Sequence, residues 1–228
     1  MAARAFIFFD VDDTLVQWNA SWVDAFVAAA ALVGVTVTPE QALDKLNAAF
    51  EGFYRDCIRE HASRGDLDAF WSDYDGRILA SMGVNHGLRR ATAYVLERLS
   101  APDAIQLYPE VPETLDALRQ RCARLGIVTG RPRAAPDLER LGVIQHFDPI
   151  IDAFAAGGSK SEGRMFHLAA GAAADEGLPA WHVGDSYRDD VQGARAAGLR
   201  PVLVDRGNRR PEADCPRITD LRALLELL

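Results

Sequence analysis

Residues Arg4–Val11 (RAFIFFDV) form an apolar run that does not alternate, and acids close it at Asp10, Asp12 and Asp13. A strand that is apolar on both faces has to be covered on both faces, which predicts the interior of a parallel sheet flanked by helices. The second half of the chain supplies the neighbours. Leu125–Thr129 (LGIVT), Pro149–Ala153, Ala180–Gly184 (AWHVG) and Pro201–Asp205 read as strands. Between them lie helical patterns at Val111–Cys122, Pro136–Leu141, Ser161–Glu176 and Arg188–Ala197, with a last amphipathic set from Ile218 through Leu221, Leu224 and Leu225 to Leu228. Strands alternating with helices over short loops predict βαβ units, hence an α/β fold with a Rossmann-like, doubly wound parallel sheet.

The stretch from Leu15 to Leu107 shows only helical periodicity. Trp22, Phe26, Ala29 and Val33 mark one helix, closed by Gly34. Thr38-Pro39-Glu40-Gln41 then offers an N-cap, a proline at the first position and a capping-box glutamine, followed by Leu43, Leu46, Phe50, Phe53 and Cys57 at helical spacing. Leu67 to Met82 and Leu88 to Leu99 continue the pattern, giving about four helices in all. The expected organisation is an all-helical cap domain, residues 15–107, inserted after the first strand of an α/β core made of residues 1–14 and 108–228.

Composition narrows the function. Hydrophobic residues make up 49% and charged residues 25%, ordinary globular values that exclude disordered and collagen-like chains. Thirty-three acids against 25 bases leave a net charge of −8 and no Lys/Arg-rich run, so neither nucleic acid nor an anionic membrane is expected as a partner. The three cysteines, Cys57, Cys122 and Cys215, are odd in number and lack metal-binding spacing, which predicts free thiols in a reducing compartment. Phe6–Phe9 is too short for a signal-peptide core or a membrane span, and the expected location is the cytoplasm.

In an open parallel sheet, ligands bind beyond the carboxyl ends of the strands. Those ends carry Asp10-Val11-Asp12-Asp13-Thr14, Thr129-Gly130-Arg131 and Asp185 with Asp189 and Asp190, while Lys160 follows an Ala-Ala-Gly-Gly-Ser run. Carboxylates crowded together need a cation. Oxygen-only ligands favour a hard ion, of which Mg²⁺ suits a few carboxylates with waters and a phosphate. A lysine and a Thr-Gly turn complete a phosphoryl pocket, and a carboxylate can itself accept a phosphoryl group.

Asp10-x-Asp12-x-Thr14, Thr129-Gly130, Lys160 and Gly184-Asp185-Ser186 with Asp190 resemble, in order, the four motifs of the haloacid dehalogenase superfamily, and the helical insert resembles its α-helical cap. The resemblance is nearest to the phosphatase branch around Val183–Ala194 and covers essentially the whole chain. It implies a Mg²⁺-dependent phosphatase acting on a small phosphomonoester, such as a phosphosugar, phosphoglycolate or a nucleoside monophosphate. By resemblance, Asp10 is the nucleophile, Asp12 the general acid and base, Thr129 and the Gly130 N–H hold the phosphoryl oxygens, and Lys160 balances charge between Asp10 and the bound phosphate. The implied metal ligands are Asp10, the Asp12 carbonyl and Asp185, supported by Asp190 or Asp189. Thr14, Trp18 and Arg131 are further candidate substrate contacts. Dehalogenases of this superfamily lack an acid at the position of Asp12, because halide leaves without a proton. Asp13 departs from the pattern, which commonly has glycine there, and Ser161 stands where proline often follows the lysine.

Other readings are a phosphomutase or dehalogenase on the same fold, a non-catalytic phosphate-binding protein, and a receiver-type signalling domain. A receiver carries its phosphoacceptor on a later strand, whereas here the Asp-x-Asp closes the first. The five histidines, His61, His86, His146, His167 and His182, share no spacing and are expected to be structural.

Overall fold

The computed structural model describes residues 5–121 and 123–227, so Arg4, Cys122 and Leu228, each placed in an element above, lie outside the described residues. The chain divides into two units, Met1–Gln17 with Leu107–Leu228, and Trp18–Gln106.

The first unit is built on strands β1 (Ala5–Phe9), β4 (Ala123–Val128), β5 (Ile150–Ile151), β6 (Ala180–Gly184), β7 (Arg200–Val204) and β8 (Arg217–Ile218); β2 (Val16–Trp18) and β3 (Ile105–Leu107), at the division between the units, pair separately as a ribbon. The six strands are parallel in the order β5-β4-β1-β6-β7-β8. The run from Phe6 to Phe9 is fully buried, as a central strand covered on both faces requires. Ile7 and Phe9 join Leu125, Ile127, Val183 and Val202 in one apolar cluster. Gly126 lets β4 approach β1, because a Cβ there would stand 2.7 Å from the Phe8 ring. Sequence order reverses on either side of β1: the chain winds outward through β4 and β5, then returns to β6 on the other side of β1 and winds outward again through β7 and β8. That reversal is the switch point where a ligand site is expected.

The second unit contains α1 (Trp22–Ala31), α2 (Pro39–Gly52), α3 (Tyr54–Ala62), α4 (Leu67–Ser81) and α5 (Leu88–Leu99), five helices instead of about four. The expected helix through Leu43 to Cys57 is two, because Phe53 leaves helical geometry (φ −123°, ψ 0°) directly after Gly52, a poor helix former. Consequently Leu43 and Phe50 are exposed instead of lying on a single buried face. The Thr38 capping box forms as the residues dictate. Nor is the stretch Leu15–Leu107 purely helical: β2 and β3 sit at its two ends, too short for any period to register.

Helices α6 (Val111–Gln120), α7 (Ala135–Arg140), α8 (Ala153–Ala156), α9 (Arg164–Asp175), α10 (Gln192–Ala196) and α11 (Leu224–Leu227) complete the first unit. Three departures from expectation are local. The strand at Pro149–Ala153 shrinks to two residues because the Asp152 carboxylate accepts the Ala155 N–H and starts α8. The helix predicted from Arg188 begins instead as a π-helical turn, Tyr187–Val191, before α10. Ile218 lies in β8 and not in the final helix.

Candidate active site

Asp10 leaves β1 with its N–H donated to the Val183 carbonyl at 2.9 Å, so the backbone of β6 fixes where the carboxylate begins. Lys160, in a one-turn 3₁₀ helix behind the left-handed Gly157, reaches the same place, its Nζ 2.6 Å from Asp10 Oδ1 and 2.7 Å from Asp190 Oδ1. A lysine after a Gly-Gly-Ser run reads, taken alone, as a solvated side chain; this one is buried between two carboxylates. Asp190 Oδ1 also meets His182 Nε2 at 2.8 Å, and Asp190 Oδ2 accepts the Ser186 N–H at 3.0 Å. Gly184 makes room for this carboxylate: a Cβ there would collide with the Asp190 side chain.

The oxygens of Asp10, Asp185 and Asp190 lie within 4.8 Å of one another. Burial pushes the Asp10 carboxyl up to about 7 against the pull of Lys160. Burial, with Asp10 and Asp190 beside it, pushes Asp185 up to about 8. Burial acts on Asp190 too, yet Lys160 and His182 outweigh it and hold that carboxyl well below the usual range. Lys160 is held above its ordinary value, Asp10 and Asp190 outweighing its own burial. One lysine therefore faces three carboxylates, and burial pushes two of the three toward their neutral form.

Arg131 organises the neighbouring loop. Its backbone N–H donates to Thr129 Oγ1 at 3.2 Å, and its guanidinium meets Asp12 Oδ1 at 2.9 Å and Asp137 Oδ2 at 2.8 Å. Thr129 is buried, and its N–H bonds the Ile151 carbonyl at 3.0 Å. Gly130 lies beside the Lys160 stem, whose Cγ is 4.0 Å from where a Cβ would stand. Asp13 occupies the left-handed region at φ 55°, the conformation that favours glycine, and its N–H closes a turn onto the Val16 carbonyl at 2.9 Å. Thr14 is buried beneath it, its carbonyl accepting from Arg206 at 2.8 Å. A cavity of about 610 Å³ opens beside Asp185, lined also by Asp13, Tyr108, Arg206, Arg209 and Arg210.

The sequence candidates are thus brought together in part. Asp10, Lys160, Asp185 and Asp190 form one cluster, and Asp12, Thr129 and Arg131 a bonded chain in the same unit. Of the two late acids, Asp190 joins the cluster, whereas the Asp189 N–H caps onto Ser186 Oγ at 3.1 Å. Trp18 belongs to the helical unit, its ring 5.1 Å from Trp22, which in turn stands 6.1 Å from Trp71. His182, expected to be merely structural, is bonded to Asp190 and packed edge-on against Phe166 at 4.9 Å. Its signal was position: it lies two residues before Gly184, on the strand that ends in Asp185.

A family model described as haloacid dehalogenase-like hydrolase matches residues 5–198. A phosphoserine phosphatase from Thermus thermophilus is 30% identical over 93% of this chain and 94% of its own length. The haloacid dehalogenase-like hydrolase domain-containing protein 3 of Bos taurus is 34% identical over 59% of this chain, and the match spans 55% of that protein. Among solved structures, a HAD phosphatase from Thermococcus onnurineus superposes with a TM-score of 0.66 at 24% identity, covering 98% of this chain and 97% of the other, a likeness of fold. Among the described residues no helix is long and apolar enough to cross a membrane.

Proposed function

Because the chain belongs to the haloacid dehalogenase-like hydrolases, we propose that it hydrolyses a small phosphomonoester through an aspartyl-phosphate on Asp10. The observation that carries this reading is the buried Asp10–Lys160–Asp190 array at the end of the central strand, with Asp185 completing it. In the first half-reaction an Asp10 carboxylate oxygen bonds to phosphorus while the ester oxygen leaves, and Asp12 gives that oxygen its proton. In the second, Asp12 takes a proton from the water that attacks the acyl phosphate, the P–O bond to Asp10 breaks, and inorganic phosphate departs. Thr129 and the Gly130 N–H hold the phosphoryl oxygens, and Lys160 offsets the charge shared by Asp10 and the phosphate.

The cluster fits a divalent cation of the Mg²⁺ type, since it offers only oxygens and is short of positive charge. Asp10, the Asp12 carbonyl and Asp185 would hold it. Both Asp190 oxygens are taken by Lys160, His182 and Ser186, which suits a supporting part. Such an ion supplies charge neutralisation between nucleophile and phosphate. The presence of Asp12 favours ester over halide cleavage, because an alkoxide needs a proton to leave and a halide does not. We assign the helical unit, Trp18–Gln106, the part of a cap, and a small metabolite fits the activity named for the Thermus relative.

The test is phosphate release from a panel of small phosphomonoesters, with Mg²⁺ and with EDTA, comparing wild type with Asp10→Asn. Metal-dependent turnover that falls by about a thousandfold or more in the variant is the expected result. Turnover undiminished in Asp10→Asn overturns the nucleophile assignment.

A further inference from the structure

We propose that Arg131 is a positioning residue for Asp12, and not a direct contact to the substrate. The inference rests on the reading of Asp12 as acid and base. Asp12 follows β1 with its side chain 34% exposed, where a single rotamer has to be held for proton transfer. Arg131 is only 11% exposed, and each end of its guanidinium fork already has a carboxylate: NH2 holds Asp12 Oδ1 at 2.9 Å, NH1 holds Asp137 Oδ2 at 2.8 Å. Asp137 lies in the first turn of α7, and its other oxygen accepts from Arg140 at 3.2 Å. A rigid, charge-assisted fork between a helix and a loop carboxylate fixes that carboxylate's orientation. Holding Oδ1 fixes where the whole carboxyl stands when the proton is transferred.

The same residue reaches the phosphate turn through its backbone, since its N–H bonds the Thr129 hydroxyl oxygen. Arg131 thus sets the distance between the group that holds the phosphoryl oxygens and the group that serves the leaving oxygen. Proton transfer tolerates little misplacement, because the acid has to lie within hydrogen-bond reach of the ester oxygen. Substrate affinity, by contrast, depends on groups that remain in place when the fork is cut.

The experiment uses two esters that differ in their need for a proton: 4-nitrophenyl phosphate, whose phenolate leaves unaided, and an alkyl phosphate, whose alkoxide does not. The phosphorylation step is followed with wild type, Arg131→Met, Arg131→Lys, Asp137→Asn and Asp12→Asn, each shown by circular dichroism to be folded. Arg131→Met is expected to slow the alkyl ester by roughly 10- to 100-fold, with the nitrophenyl burst and both KM values changed by less than about threefold. Arg131→Lys is expected to recover part of the loss. Asp137→Asn, which leaves Arg131 intact but unanchored, is expected to show a smaller loss of the same selectivity.

A KM that rises equally for both esters overturns the proposal in favour of direct substrate contact. Equal rates in all Arg131 and Asp137 variants overturn it outright. Asp12→Asn separates the two levels. If it leaves the ratio of the esters unchanged, the acid–base reading has failed and the inference with it. If it shifts the ratio while Arg131→Met does not, only the inference falls.

Discussion

Asp190 in the α/β unit and Asp75 in the helical unit are equally buried, each 1% exposed, yet their carboxyls are shifted in opposite directions. Asp190 is bonded to Lys160, His182 and the Ser186 N–H, and its carboxyl is held well below the usual range. Asp75, on α4, has an Oδ1 with no hydrogen-bond partner among the described residues, and burial pushes its carboxyl up to about 8. Burial by itself disfavours the charged form, and only partners reverse that. The chain surrounds one buried carboxylate with partners at the strand ends and leaves the other, in the helical unit, in surroundings that favour its neutral form. A network that holds a buried charge is also one that fails when a single member is removed.

The widest gap between the two regions is predicted for Gly184→Ala. Its methyl would collide with the Asp190 side chain and pull that carboxylate away from Lys160. Turnover is expected to fall at least about a hundredfold in phosphate-release assays, with the helical content retained. Activity close to wild type would show that Asp190 need not stand where it does. Next comes Lys160→Met, which strands Asp10 and Asp190 without their cation. Removing one partner of a buried pair costs about 3–5 kcal/mol, so urea unfolding at neutral pH is expected to show a loss of that order. A loss under about 1 kcal/mol would mean that the array is solvated and the contrast with Asp75 is false.

The members of the buried cluster were legible in the sequence, and their bonding was not. Asp10 and Asp185 could be found because each directly follows a strand, and strands buried on both faces are conspicuous; Lys160 could be found because it follows a Gly-Gly-Ser run ahead of a helix. His182 was not, because nothing in its spacing marks it; only the packing of β6 against the π-helical turn brings it to Asp190. The fork of Arg131 joins positions 119 residues apart in the chain, beyond the reach of any local pattern. In the helical unit the periodicity of Leu43 to Cys57 ran through a break at Phe53, since a 3.6-residue period persists across two consecutive helices even when the chain bends between them.

Asp75 gives a smaller effect, with a definite sign. Its folded value, about 8, lies above the ordinary carboxyl value of 3.8 that the unfolded chain has. The folded state thus keeps a proton that the unfolded state releases. The stabilisation is fully present below about pH 4 and is lost as pH rises through the folded value, at about 1.4 kcal/mol per pH unit in between. Asp75→Asn is expected to make the decline shallower by about 1.4 kcal/mol per pH unit between roughly pH 5 and 8 in a series of unfolding curves, leaving the part that Asp10 and Asp185 contribute. An unchanged slope would show that Asp75 is ionised in the fold and has a partner.

The smallest effect separates a tilt from a shift. Thr38, in the same helical unit, caps α2 through a reciprocal pair: its Oγ1 accepts the Gln41 N–H at 3.3 Å, and its own N–H donates to Gln41 Oε1 at 3.0 Å. Neither group titrates in the range studied, so Thr38→Ala is expected to lower stability by about 1 kcal/mol at every pH and to leave phosphate release unchanged. Asp75→Asn should instead rotate the same plot. If Thr38→Ala also changed the slope, the decline measured in wild type would belong to unfolding of the helical unit as a whole. The unequal treatment of two equally buried carboxylates would then have to be sought by direct titration of each.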